Sequence, residues 1–449
     1  MSTLRSRRFF FWTAILLAGG IIVIAAAYFS YPLYRDWQAD RAVQQARLFL
    51  EKREIRSGLL SVRTALRHRP DHLDAHQVAA ELMEAFGSPE ALMHRRRLME
   101  LQPELPEAKL EYARSALRCR NSPLAAKILA SVDGPSRETP AFLKLQADLF
   151  LVTGQKEKAA ETYRKLFLLE PDEAAARVKL AHIELPGDSE AKRASARRTL
   201  ASFVSDDEFG LIALRALTQD ALSRNDPSAA LSWSERACQM PAAEFSDRLL
   251  RLQALWTAGS PDYESWRREL EESATANAQS AFQLGRWQLI TLGPEKALSW
   301  LQGLPKNVRS TPLIGVLLAD SFSALQRWVD LEDLVRWTDW HEAEALRLAF
   351  LARAQAQLDK VSRSEETWQL ALAAARSRPG QLVSLAKMAR ADGRDVREVL
   401  WLIAEQDPAQ TWARKELYEA YLKEKNSGQM LRMMELVLKE DPDDQTAKY

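Results

Sequence analysis

Cysteine is scarce in this chain: Cys119 and Cys238 are the only two in 449 residues. They are too few and too far apart for a disulfide framework or a cysteine-based zinc site, and they read as two buried thiols. An excess of charge is missing as well. Lys+Arg 62 and Asp+Glu 61 nearly cancel, which removes the overall electrostatic footprint of a nucleic-acid binder. Strand-like alternation does not recur from residue 39 onward, and no glycine-rich loop follows a strand to make a phosphate cradle. Nor is there a Gly-x-Ser-x-Gly nucleophile elbow. These absences remove the commonest sequence signs of catalysis and predict no catalytic residue, no cofactor site and no metal site.

What is present is an ordinary globular balance, with 47% hydrophobic and 27% charged residues, too apolar for wholesale disorder. The length exceeds one compact core and implies several domains or a repeat array. The N-terminus departs from this evenness. Arg5, Arg7 and Arg8 precede an uncharged run, "FFFWTAILLAGGIIVIAAAYFSY", over 9–31. As a helix it would be roughly 34 Å long, enough for a bilayer core, with aromatic residues at both ends suited to the interfaces. The arginines put residues 1–8 in the cytoplasm and the rest of the chain across the membrane, after a linker at 32–38. A cleaved signal peptide ending near Ala25–Ala27 is the rival reading. The apolar run continues past those alanines, which favours an uncleaved anchor.

Beyond this segment, Ala, Leu, Glu, Arg, Lys and Gln dominate, and apolar residues recur at three- and four-residue spacing in stretches of about a dozen. Prolines punctuate them with a period. Pro70, Pro103 and Pro171 are separated by 33 and 68 residues, and Pro106–Pro140 and Pro408–Pro442 by 34. In residues 140–173, Leu143, Ala147 and Phe150 fall on a first helix, Gly154 on the turn, and Ala159, Tyr163 and Leu166 on a second helix that Pro171 ends. A small residue on each helix allows close approach, and proline stops the second helix. This large–small–large pattern at a period near 34 resembles the tetratricopeptide repeat (TPR). Matching sets are Ala46, Phe49, Gly58 and Ala65 in 39–72, Ala79, Leu82, Ala91 and Leu98 in 72–105, and Ala113, Ala116, Ala125 and Leu129 in 106–139.

The fold expected is all-α: a TPR-like α-solenoid, a superhelix of some eleven to twelve antiparallel helix pairs, preceded by one transmembrane helix. Well-formed repeats occupy 39–173, degenerate ones 174–410, and a last repeat with its tail 411–449. In the degenerate part Gly285 and Ala297 hold the small positions, and "ELPGDSEAKRAS" reads as a longer loop.

His68, His72 and His76 are spaced by four, but Pro70 breaks any common helical face, and His94 and His182 have no ligand-like neighbours in sequence. Paired carboxylates such as Glu271–Glu272 read as solvated helix surface. Nine of the 13 tryptophans crowd 256–401; they read as filler between helices, with an aromatic groove for peptide or sugar as the alternative.

The resemblance implies that the first helix of each pair lines a concave groove. By that register Arg47 and Glu51, His76 and Glu84, Arg114 and Arg118, and Lys144 and Asp148 face it in four successive units. Arg114, Arg118 and Lys144 would lie close enough to grip a carboxylate or acidic segment, and ordinary solvated charge is the plainer reading. The Lys/Asn carboxylate clamp of chaperone-binding TPR domains is not reproduced. The expected function is a membrane-anchored scaffold for protein or peptide partners, bound through the concave surface, with the candidate residues Arg47, Arg114, Arg118, Lys144 and Asp148. It would sit in the inner (cell) membrane with its solenoid periplasmic, serving envelope assembly, secretion or polysaccharide export. None of the five asparagines starts an Asn-x-Ser/Thr acceptor, which fits a bacterial source. The alternatives are a carbohydrate- or peptidoglycan-binding module using the tryptophans and a regulatory subunit of a membrane enzyme such as a glycosyltransferase.

Overall fold

The computed structural model describes residues 34–440, apart from 53, 377 and 407–410. Among these residues every regular element is helical. None of the helices is long and apolar enough to cross a membrane, and the expected span at 9–31 lies outside the described residues, as do residues 441–449. The chain divides into two compact units, Met1–Asp220 and Ala221–Tyr449.

In the first unit the helices are α1 (34–51), α2 (Ile55–His68), α3 (Leu73–Ala85), α4 (Ala91–Leu101), α5 (Pro106–Arg118) and α6 (Ser122–Ala130). They continue as α7 (Pro140–Val152), α8 (Lys156–Leu169), α9 (Ala174–Glu184), α10 (Glu190–Ser202) and α11 (Gly210–Ser223), the last crossing the division. The pair α7/α8 shows how the residues make the hairpin. Thr139 caps α7 by accepting the Phe142 N–H, and Pro140 stands at the first turn, where its missing donor costs nothing. Ala147 and Ala159 are fully buried where the two helices meet, with Tyr163 and Leu166 sealed beside them. Gly154 turns the chain at φ +77°, a left-handed conformation that glycine adopts without a Cβ penalty. At the far end α8 stops at Leu169, ahead of Pro171. The longer loop expected around 184–195 is instead a short connection at 185–189, because Ser189 accepts the Lys192 N–H and starts α10 at once.

The second unit holds α12 (Pro227–Gln239), α13 (Phe245–Thr257), α14 (Tyr263–Ala274), α15 (Ala278–Thr291), α16 (Pro294–Gly303) and the four-residue α17 (Lys306–Arg309). It goes on with α18 (Pro312–Ala324), α19 (Trp328–Arg336), α20 (Glu344–Gln357), α21 (Val361–Ala375), α22 (Pro379–Ala391), α23 (Arg397–Gln406), α24 (Thr411–Lys423) and α25 (Ser427–Glu440). Within the units the described helices pair as α3/α4, α5/α6, α7/α8 and α9/α10, and as α13/α14, α15/α16, α18/α19, α20/α21, α22/α23 and α24/α25. The architecture is that of TPR-like helical hairpins, each packed mainly on the hairpins next to it in sequence.

Candidate protein-binding groove

The first helices of three successive pairs, α5, α7 and α9, form one wall-less groove of ≈ 740 Å³. Arg114, Leu117 and Arg118 come from α5, Lys144, Leu145, Asp148, Leu151 and Val152 from α7, and Lys179 from α9. Thus four of the five residues singled out from sequence line a single surface, and Lys179 joins them. Leu117, Leu145, Leu151 and Val152 make the floor apolar. Val152 is 60% exposed, a large hydrophobic left open beside the cations. Four cations face one acid at the rim.

Each rim cation is held by an acid of this chain. Arg118 Nη1 donates to Glu84 Oε2 at 3.1 Å, reaching back from α5 to α3. Arg114 donates to Glu111 one turn earlier on its own helix. Lys144 pairs with Glu173, whose carboxylate also accepts the Ala176 N–H at the start of α9. Lys179 Nζ donates to Asp148 Oδ1 at 2.6 Å. The same Asp148 oxygen accepts the Tyr163 hydroxyl. Burial, reinforced by that carboxylate, pushes the Tyr163 phenol far above its ordinary range, so it stays a donor.

The acids are fixed in turn. Burial alone would raise the Glu84 carboxyl, but Arg95 overcomes this and holds it below the usual range. Arg95 is 3% exposed and donates through Nε to Glu84 Oε1 at 2.8 Å and through Nη1 to Gln77 Oε1 at 3.1 Å. Glu173 behaves alike: burial raises it, and Lys144 with the Ala176 N–H lowers it further than burial lifts it. The groove is therefore pre-set by a lattice of acids behind a cationic rim.

No family model matches the chain, and no curated protein does. Solved structures with similar coordinates include one described as a functional characterization of Pseudomonas aeruginosa pilF, at 18% identity and a TM-score of 0.38, covering 52% of this chain and 99% of that one. A tetratricopeptide repeat protein from Parabacteroides merdae aligns at 15% identity and a TM-score of 0.40, covering 48% and 84%. The Cut9–Hcn1 hetero-tetramer aligns at 13% and a TM-score of 0.40, covering 94% and 91%. At such scores the description of the fold rests on the hairpins themselves.

The remaining sequence candidates lie elsewhere. Arg47, on α1, pairs with Asp74 at 3.2 Å and does not line the groove. The histidines separate as Pro70 implies, yet His94, which looked isolated in sequence, meets His76 across the α3/α4 hairpin at 2.9 Å between Nδ1 atoms. His76 Nε2 lies 2.8 Å from the Pro70 carbonyl, which can only accept, so this nitrogen carries the proton and His94 Nδ1 donates. His72 Nε2 turns away to Asp40 at 2.8 Å. Among the described residues no group of three or more His, Cys, Asp or Glu gathers as a metal site. Cys119 and Cys238 are half-buried, not sealed as expected, and burial raises both thiols, Cys238 to about 11.

The tryptophans divide between the two readings. Trp340 and Trp368 are buried filler at 2% and 3% exposure, whereas Trp256 and Trp337 stand open at 42% and 83%.

Proposed function

We propose that the chain is a scaffold that docks acidic, partly apolar segments of protein partners in the groove of α5, α7 and α9. The observation that carries this reading is the rim of Arg114, Arg118, Lys144 and Lys179 around an apolar floor from which Val152 stands exposed. A segment with carboxylates spaced around an apolar side chain would gain charge-assisted hydrogen bonds at the rim and bury Val152 beneath it. The rim arginines exchange their internal acids for those of the partner, so a surface already organised loses little side-chain freedom on binding. The uncharged run at 9–31 would anchor this surface in a membrane, N-terminus inside, raising the effective concentration of membrane-bound partners on the periplasmic side.

Crosslinking of the intact protein in its native membrane tests the groove. R114E/R118E should lose at least one crosslinked partner at unchanged helical content. Retention of every partner rejects the groove. A reporter fused after Tyr449 tests the orientation, which activity confined to the cytoplasm would reverse.

A further inference from the structure

The second unit carries a separate cleft of ≈ 450 Å³, lined by Trp256, Tyr263 and Trp300 together with Glu264, Arg267, Glu271, Gln288, Lys296 and Ser299. It lies where α14 and α16 flank the C-terminal part of α15. We propose that this cleft is a binding site for a neutral sugar ring.

Three observations converge on that ligand. Trp256 presents an open indole beside Tyr263, with ring centroids 5.1 Å apart and planes inclined at 53°. An aromatic face open to solvent at the mouth of a cleft offers its negative π-cloud to polarised C–H groups, which the apolar face of a pyranose supplies. Next, the charges cancel. Arg267 donates to both Glu264 and Glu271, and Lys296 balances the remaining acid, so the cleft has no net field to favour an ion. A cationic ligand would meet Arg267 and Lys296, and an anionic one Glu264 and Glu271. Glu264, Arg267, Glu271 and Gln288 are flat groups with paired oxygens or nitrogens, a form that matches neighbouring hydroxyls.

The third observation is Gln288. It is 1% exposed, and its Nε2 donates to Glu271 Oε1 at 2.7 Å. A carboxylate only accepts, so the amide cannot be turned round. That leaves Gln288 Oε1 buried with no hydrogen-bond partner among the described residues. A buried acceptor in this condition calls for a donor, which an ordered water or a ligand hydroxyl supplies. The volume also falls within the range of small-ligand clefts, about 300–1,000 Å³.

Isothermal titration of the purified full-length protein in detergent with cellotriose and tri-N-acetylchitotriose decides the matter. Saturable binding of at least one of these neutral sugars is expected. It should weaken about tenfold or more in W256A, where the stacking face is lost, and in Q288L, where the acceptor is lost. R114E/R118E should bind the sugar as the unmodified protein does, so failure of the groove and failure of the cleft are told apart. Circular dichroism confirms that each variant keeps its helices. No saturable heat at millimolar sugar, or equal affinity in W256A, overturns the proposal.

Discussion

His94 shows how a single buried side chain couples stability to acidity. Burial, with His76 beside it, holds the His94 imidazole down at about 4 from its ordinary 6.5. A base whose folded value is depressed is neutral when folded and protonated when unfolded between the two values. Stability is therefore complete above pH 6.5 and falls as pH drops towards 4. Between pH 7 and 5 the loss is about 1–2 kcal/mol. Asp320 in the second unit runs the other way, since burial lifts its carboxyl to about 6 and favours the folded state below that pH. The difference between the unmodified protein and H94Q isolates the histidine. Chemical denaturation at pH 7 and pH 5 should show the pH-dependent part of that difference, and an unchanged difference would remove His94 as its source. Sequence could not reveal the pair. The visible histidine spacing was 68, 72, 76, whereas the partner of His76 lies 18 residues on, across a hairpin.

At the scale of the element, the turn inside each pair carries the repeat more regularly than proline does. Among the described residues, the turn within ten hairpins holds a left-handed residue, at Gly87, Arg120, Gly154, Asn225, Gly259, Gly293, Gln326, Asp359, Gly393 and Lys425, while His341, also left-handed, lies between hairpins. Consecutive members of the ten are 32 to 34 apart, except for one interval that spans two repeats. In most of these turns the next N–H closes back on a carbonyl five residues before it, as Gln155 does on Phe150 at 2.8 Å and Arg327 on Phe322 at 2.9 Å. This is the Schellman closure of a helix end. The pairs between 174 and 410 read as degenerate because proline and the small residues were the visible signals. The conserved backbone state there is filled by Gln326 and Asp359 as well as by glycine, and a side chain in the left-handed region leaves no mark in a sequence pattern. Opposite effects follow for two turns of the same geometry. Arg120→Gly should stabilise and Gly154→Ala destabilise, each by roughly 1 kcal/mol. Thermal melts would show midpoints moving in opposite directions, and movement in the same direction would contradict the shared backbone state.

Across the whole molecule, what was legible was the kind of contact and not its partners. Ala113, Ala147 and Ala159 were picked out as close-packing positions and are all fully buried, because a small residue between two helices leaves a periodic trace. Arg114, Arg118 and Lys144, and Glu84 and Asp148 among the acids, were legible as positions on first helices, but Lys179, Glu173 and the pairings themselves were not. Glu84 and Arg118 are 34 residues apart, and Asp148 and Lys179 are 31 apart, so each pair joins one hairpin to the next. Arg353 Nε donates to Asp392 at 2.6 Å in the same manner in the second unit. A chain tied together by contacts between consecutive hairpins should feel a local defect locally. Gly315 provides one. A Cβ added there would stand 2.9 Å from the buried, rigid ring of Trp340. Gly315→Ala gains about 1 kcal/mol of helix propensity and incurs about 1–3 kcal/mol of overpacking, so a net loss of up to about 2 kcal/mol is expected. At Gly285 the added Cβ meets the methyl ends of Leu301 and Leu317, which yield more easily than a ring, and the Trp300 ring is farther off at 3.3 Å, so Gly285→Ala should cost less. Hydrogen exchange followed by mass spectrometry reads where the loss is felt. In Gly315→Ala, amides of α15, α18, α19 and α20 should exchange faster while those of α3 to α8 keep their rates, since stability in a stack is a sum of hairpin and neighbour terms. Uniform acceleration through all the helices would mean that the hairpins melt as one cooperative body.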